Sequence, residues 1–233
     1  MYYDYYGIRS VLEFILLLGG TLVVIFSQIK IKSAYSKYKK VKCQNKLSGF
    51  EVARKILDNA GLENVHIVEV AGELSDHYDP SQKVVRLSKD VFHGQTIAST
   101  AIAAHECGHA MQDKEQYNFM IIRSKLVPVV NFATKFGYFA TIIGVLFGIL
   151  DFAVCGVVIL LFTLAFQLVT LPVEFNASAR AKKIIYELDL ATSKEQDGIQ
   201  KVLSAAAFTY VAGVLNTLLQ MLRLLIRINN NRK

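Results

Sequence analysis

Three long apolar runs interrupt an otherwise mixed chain, at residues 11–29, 127–150 and 152–173. The first carries one charge, Glu13, the second carries Lys135, and the third carries none. Each is about 20 residues long, the length an α-helix needs to cross a hydrocarbon layer. Between the first two runs the pattern changes. Phe50, Val52, Ala53, Ile56 and Leu57 recur with helical period after Ser48 and Glu51, a capping-box pair, and Gly61 closes that segment. Residues 65–70 and 84–87 read as short strands, separated by turn chemistry at Gly72, Asp76, Asp79 and Pro80. A proline-free helix over residues 95–113 comes next. The last apolar stretch, 199–228, is interrupted by Arg223 and Arg227.

The pattern predicts a membrane α-helical protein with about four transmembrane helices and a small α+β cytoplasmic domain, zincin-like where the helix after its two strands carries metal ligands. In chain order we expect an uncleaved anchor (1–29), a basic linker or helical extension (30–47) and a zincin-like domain (48–126). A helical hairpin turning near Asp151 (127–173), a helix entered at Pro172 (174–198), and a C-terminal helix with a basic tail (199–233) complete the chain. The polar stretches 114–125 and 193–198 are expected as a connection and a break. Gly144 and Gly148 form a small-xxx-small pair within the hairpin. The C-terminal helix either crosses the bilayer or lies along its face with its arginines snorkelling; crossing is the favoured reading.

Charge refines the topology. The net charge is +7, and Lys30, Lys32, Lys37, Lys39, Lys40 and Lys42 lie just after the first apolar run. A basic cluster beside a membrane segment is a positive-inside signal rather than a nucleic-acid patch, and it places the chain from about residue 30 onward in the cytoplasm. Tyrosines at positions 2, 3, 5 and 6 suit the opposite interface. The inverted topology would put the soluble domain outside, and labelling of Cys43 is the expected test. Three cysteines, Cys43, Cys107 and Cys155, without C-x-x-C spacing argue against a thiolate metal site or a disulfide framework.

The candidate chemistry lies in the long helix. His105 and His109 are four residues apart, so both imidazoles lie on one face, one turn above the other, and can converge on one zinc ion. Glu106 beside them is placed to take a proton from an activated water and return it to a leaving amine. Cys107 points off that face and reads as a packing residue. Zinc held for catalysis needs a third protein ligand. Glu174, where the hairpin returns to the membrane face it left, is the best-placed carboxylate, although an interfacial cap is the alternative. Glu187, Asp189 and His77 are next in line. Ser178, one turn after Glu174, could contact a zinc histidine from behind.

His105-Glu106-Cys107-Gly108-His109-Ala110-Met111-Gln112, the upstream Ser75-Asp76-His77-Tyr78-Asp79-Pro80 and the downstream Glu174-Phe175-Asn176-Ala177-Ser178-Ala179-Arg180 together resemble the bacterial membrane-bound neutral zinc metallopeptidases. The chain is more distantly similar to the gluzincin proteases that include the heat-shock membrane protease and the CAAX prenyl protease. The resemblance covers nearly the whole chain. It implies one zinc held by His105, His109 and Glu174, with Glu106 as base. The wider group commonly has an aspartate where this chain has Ser178. His77 or Tyr78 could help hold an oxyanion, or the segment is only a turn-forming loop. The strand before the motif, or the loop preceding it, would be an edge that takes an extended substrate, or else part of a structural hairpin.

The expected activity is a metalloendopeptidase acting on membrane or membrane-proximal proteins, embedded in the cell membrane with its site facing the cytoplasm. The alternative is a non-proteolytic membrane scaffold whose zinc only stabilises the fold. An intact Glu106 argues against the scaffold, because a structural site has no use for that carboxylate.

Overall fold

A computed structural model describes the backbone of residues 2–147 and 152–231, and the side chains of residues 10–136, 156 and 158–226. The expected turn at Asp151, Gly148 of the small pair, the side chains of the first tyrosines, Cys155 and Arg227, and the tail residues Arg232 and Lys233 lie outside the described residues. The elements are α1 (Tyr2–Tyr38), α2 (Gly49–Asn59), β1 (His66–Val70), β2 (His77–Asp79), β3 (Val84–Ser88), α3 (Lys89–Phe92), α4 (Ile97–Lys114), α5 (Asn118–Phe147), α6 (Phe152–Glu187) and α7 (Ser193–Asn231).

Two compact units share these elements. One contains residues 29–121 and 171–208, and the other contains 1–28, 122–170 and 209–233. The first has a buried core. Val52, Ala53, Ile56 and Leu57 of α2 meet Ala98, Ala101, Ala104 and Cys107 of α4, with Val85 and Leu87 of β3 beside them. Small residues on α4 let its neighbours pack close to the helix axis, and burying a side chain such as Ile56 or Leu57 contributes roughly 1.5–3 kcal/mol. The capping box at the start of α2 is formed. The Glu51 amide donates to Ser48 Oγ at 3.2 Å, and the Ser48 amide donates to Glu51 Oε2 at 2.7 Å.

The three-stranded sheet has the order β1-β3-β2. β1 runs parallel to β3 with His66 opposite Val84, and β2 runs antiparallel to it with Tyr78 opposite Val85. The expected strands 65–70 and 84–87 are therefore not paired as an antiparallel hairpin. The segment between them crosses β3 and supplies a third strand, so the edge is made by the stretch that read as turns. Asp76 fixes that crossing, accepting from the Ser88 amide at 2.6 Å and from Ser88 Oγ at 3.1 Å.

Within the other unit, α1 and α7 pass so closely that a Cβ on Gly20 would lie 2.5 Å from Asn216 Oδ1. That glycine makes room for a polar side chain in an apolar helix. Among the described residues, three helical stretches are long and apolar enough to cross a membrane: Ser10–Tyr38, Val158–Glu187 and Ser193–Ile226.

Helices are longer than the apolar pattern indicates. α1 does not stop near residue 29 but continues to Tyr38, since nothing in the basic stretch breaks a helix. α6 passes through Pro172 without ending. α5 starts at Asn118, reducing the expected polar connection to a turn with Gln116 at φ 55°. The expected break at 193–198 is the first turn of α7. Thr192 caps it, its amide donating to Glu195 Oε2 at 2.7 Å.

Candidate metal centre

α4 begins at Thr96, whose Oγ1 accepts the Ser99 amide at 3.2 Å, and carries His105 and His109 on one face. Their rings meet edge to face with centroids 4.8 Å apart. α6 crosses that face at close range. A Cβ on Gly108 would lie 2.7 Å from the Ala177 carbonyl oxygen and 3.2 Å from its Cα, so the residue between the two histidines must be one that lets a backbone through. On either side of Ala177 in α6, Glu174 and Ser178 flank the approach.

The result is a cluster of three ligand-type groups. Glu174 Oε2 is 3.2 Å from His105 Nε2 and 3.6 Å from His109 Nε2. One donor atom from each of His105, His109 and Glu174 falls within 4.8 Å of the others. Two imidazoles and one carboxylate are a donor set suited to a catalytic zinc with an open position. Glu174 is only 2% exposed. A carboxylate taken out of water to that degree favours a cation beside it, and a divalent ion among the three groups would supply that charge.

Glu106 lies beside this cluster, 7% exposed. Burial pushes its carboxyl up to about 7; His105 works against that rise, while Glu174 and Asp76 add to it. The Tyr78 backbone N–H on β2 favours the ionised carboxylate and so also works against that rise. A carboxyl poised near neutrality is suited to accept and return a proton.

The other candidates fall elsewhere. The Tyr78 hydroxyl donates to Asp113 Oδ2 at 2.7 Å, so the phenol is turned along α4 while the backbone meets Glu106. His77 is exposed, with Nδ1 against the Ser75 carbonyl at 2.8 Å. Glu187 pairs with Lys183 at 3.6 Å, and Asp189 sits in the turn after α6 at φ 50°. Ser178 Oγ lies 3.2 Å from His105 Nδ1. Cys107 faces α2, its thiol 3.6 Å from the Ala53 carbonyl, and burial raises its pKa.

Sequence reasoning passed over Gln112 and Asn176. Gln112 is fully buried, and its Oε1 lies 2.9 Å from His109 Nδ1. Its position three residues after His109, on the same helical face, was the available signal.

A family profile described as "Putative neutral zinc metallopeptidase" matches residues 13–229. The "Putative membrane protease YugP" of Bacillus subtilis (strain 168) is 44% identical over 207 residues, covering 89% of this chain and 92% of that protein. No solved structure matches the chain.

Proposed function

Because the chain belongs to the neutral zinc metallopeptidase family, we propose that it is a membrane-embedded zinc metalloendopeptidase of gluzincin type, with His105, His109 and Glu174 as ligands and Glu106 as general base. The convergence of those three ligand atoms within 4.8 Å, beside a buried carboxylate, carries this reading. Zinc, when bound, supplies a Lewis acid that polarises the scissile carbonyl and makes water acidic. Glu106 takes the proton released as water adds to the carbonyl carbon, then delivers a proton to the departing amine. The Tyr78 N–H steadies the ionised form of Glu106 between those two transfers. The substrate is bound extended along the free side of β2, the strand at one end of the sheet order.

The position of Glu174 in the chain points to the substrate class. It comes directly after the apolar run 152–173, within the same helix, so peptide bonds in or near the bilayer are the ones within reach. The apolar run within α5 adds a fourth crossing to the three candidate spans. The basic residues 30–42 support a site on the cytoplasmic side of the cell membrane.

The test is zinc content and cleavage in detergent-purified protein. About one zinc per chain, lost in Glu174→Ala, together with hydrolysis of dye-labelled casein that disappears in zinc-loaded Glu106→Gln, is the expected result. Metal-dependent hydrolysis that survives Glu106→Gln refutes the mechanism. A zinc-bound chain without hydrolysis is the signature of a scaffold.

A further inference from the structure

The two histidines are not held alike. His105 rests on the Ser178 hydroxyl, a group that can either donate or accept, so this contact leaves the imidazole free to take either tautomer. His109 rests on an amide whose orientation is dictated from further out. Gln112 Nε2 lies 2.8 Å from the Val173 carbonyl oxygen and 2.9 Å from Asn176 Oδ1. A backbone carbonyl can only accept, so it favours the Gln112 NH2 on its side and the amide oxygen toward His109.

Asn176 could in principle turn its own NH2 toward Gln112 and oppose this arrangement. Arg180 prevents that. Its Nε lies 2.7 Å from Asn176 Oδ1, and a guanidinium can only donate, so the oxygen of Asn176 must stay where it is. Arg180 is itself fixed by a two-pronged pair with Glu115, at 2.6 and 2.7 Å.

We propose that Arg180, acting through Asn176 and Gln112, is a positioning residue that locks His109 in the tautomer with its proton on Nδ1, keeping the Nε2 lone pair aimed at the metal position. The role of every atom in this relay is set by its neighbour, and the relay starts at a group that cannot change role. One ligand is therefore fixed, and the other is left adjustable by a hydroxyl. A mobile loop is not needed for this asymmetry, since every member lies on α4 or α6 or caps α4. This inference rests on the proposed zinc site.

The experiment is competition for zinc against a chromophoric chelator, using the full chain in detergent. Gln112→Met is expected to weaken zinc binding about 10- to 100-fold, and Arg180→Leu about three- to tenfold. In the Gln112→Met background, Arg180→Leu should add nothing, because its route to His109 is already cut. Asn176→Asp should restore affinity to the Arg180→Leu chain, since a carboxylate oxygen only accepts and holds the Gln112 amide without the guanidinium. Should Gln112→Met not fold, Asn176→Leu replaces it in the same cycle. Equal zinc affinity in Arg180→Leu and the unmodified chain overturns the proposal, and so do losses that multiply in the double variant or a failed rescue by Asn176→Asp. An unmodified chain that binds no zinc refutes the metallopeptidase reading itself, a separate result.

Discussion

Replacing Glu106 by glutamine should stabilise the metal-free protein in neutral solution, although the same change abolishes the proposed chemistry. The native environment raises Glu106 from an ordinary 4.5 to about 7, chiefly by burial. That difference corresponds to about 3 kcal/mol between the folded and unfolded chains. The sign depends on which state ionises first. Below pH 4.5 the carboxyl is neutral in both states and the stability associated with its protonation is fully present. As pH rises toward 7 the unfolded chain loses its proton first, and native stability falls. Above 7 the whole contribution is gone. A glutamine amide does not titrate, so the Glu106→Gln variant and the unmodified chain should melt alike near pH 4 and diverge by about 3 kcal/mol at pH 8, on the order of 5–10 °C in Tm for a chain of this size. The assay is thermal unfolding of chelator-treated protein in detergent at a series of pH values. Saturating zinc should shrink the gap, because a cation beside Glu106 favours its ionised form. Parallel curves for the two metal-free proteins would show that Glu106 ionises normally, and the burial argument would be wrong.

Three further outcomes are expected. Gly108→Ala puts a methyl group against the Ala177 backbone and should weaken zinc binding by about tenfold or more, with a stability loss of about 1–3 kcal/mol from overpacking; chelator competition and melting read the two effects. Tyr78→Phe removes the hydrogen bond to Asp113 but keeps the backbone N–H at Glu106, so it should cost about 1 kcal/mol in a denaturant titration while zinc affinity stays within about twofold. For topology, Cys43 is a poor reporter because it is 2% exposed, with its thiol 3.5 Å from Thr100 Oγ1. Asn64→Cys, at an exposed position in a chain with Cys155→Ser, should react with an impermeant maleimide only after the membrane is opened; labelling of intact cells would put the site outside.

What could be read from the sequence was whatever a local period or cap encodes. The Ser48–Glu51 box, the face shared by His105 and His109, and the two longer strands all express themselves within a few residues. Apolar composition underestimates helix length here. α1 and α6 continue into polar segments because Lys and Ser residues, and even Pro172, do not break a helix held by its neighbours. The start of α7 carried the same kind of signature as the start of α2, since Thr192 and Glu195 stand three apart just as Ser48 and Glu51 do.

β2 was harder to read because its reasons for being a strand are all distant. A three-residue strand has no period to detect. It exists because Asp76 is bound to Ser88, twelve residues on, and because the Tyr78 hydroxyl is tied to Asp113 of α4. The same stretch that looks like turn chemistry is thus a splint laid along the active helix. Gly108 is the complementary case. Its small size is visible in the sequence, but the reason for it is the Ala177 backbone some seventy residues later. Gly108 thus lies on the side of α4 that α6 approaches, bringing Glu174 to His105 and His109. Where two segments meet only in the fold, residue types record the constraint without naming the partner, so the residues that cluster here were legible before the architecture that gathers them.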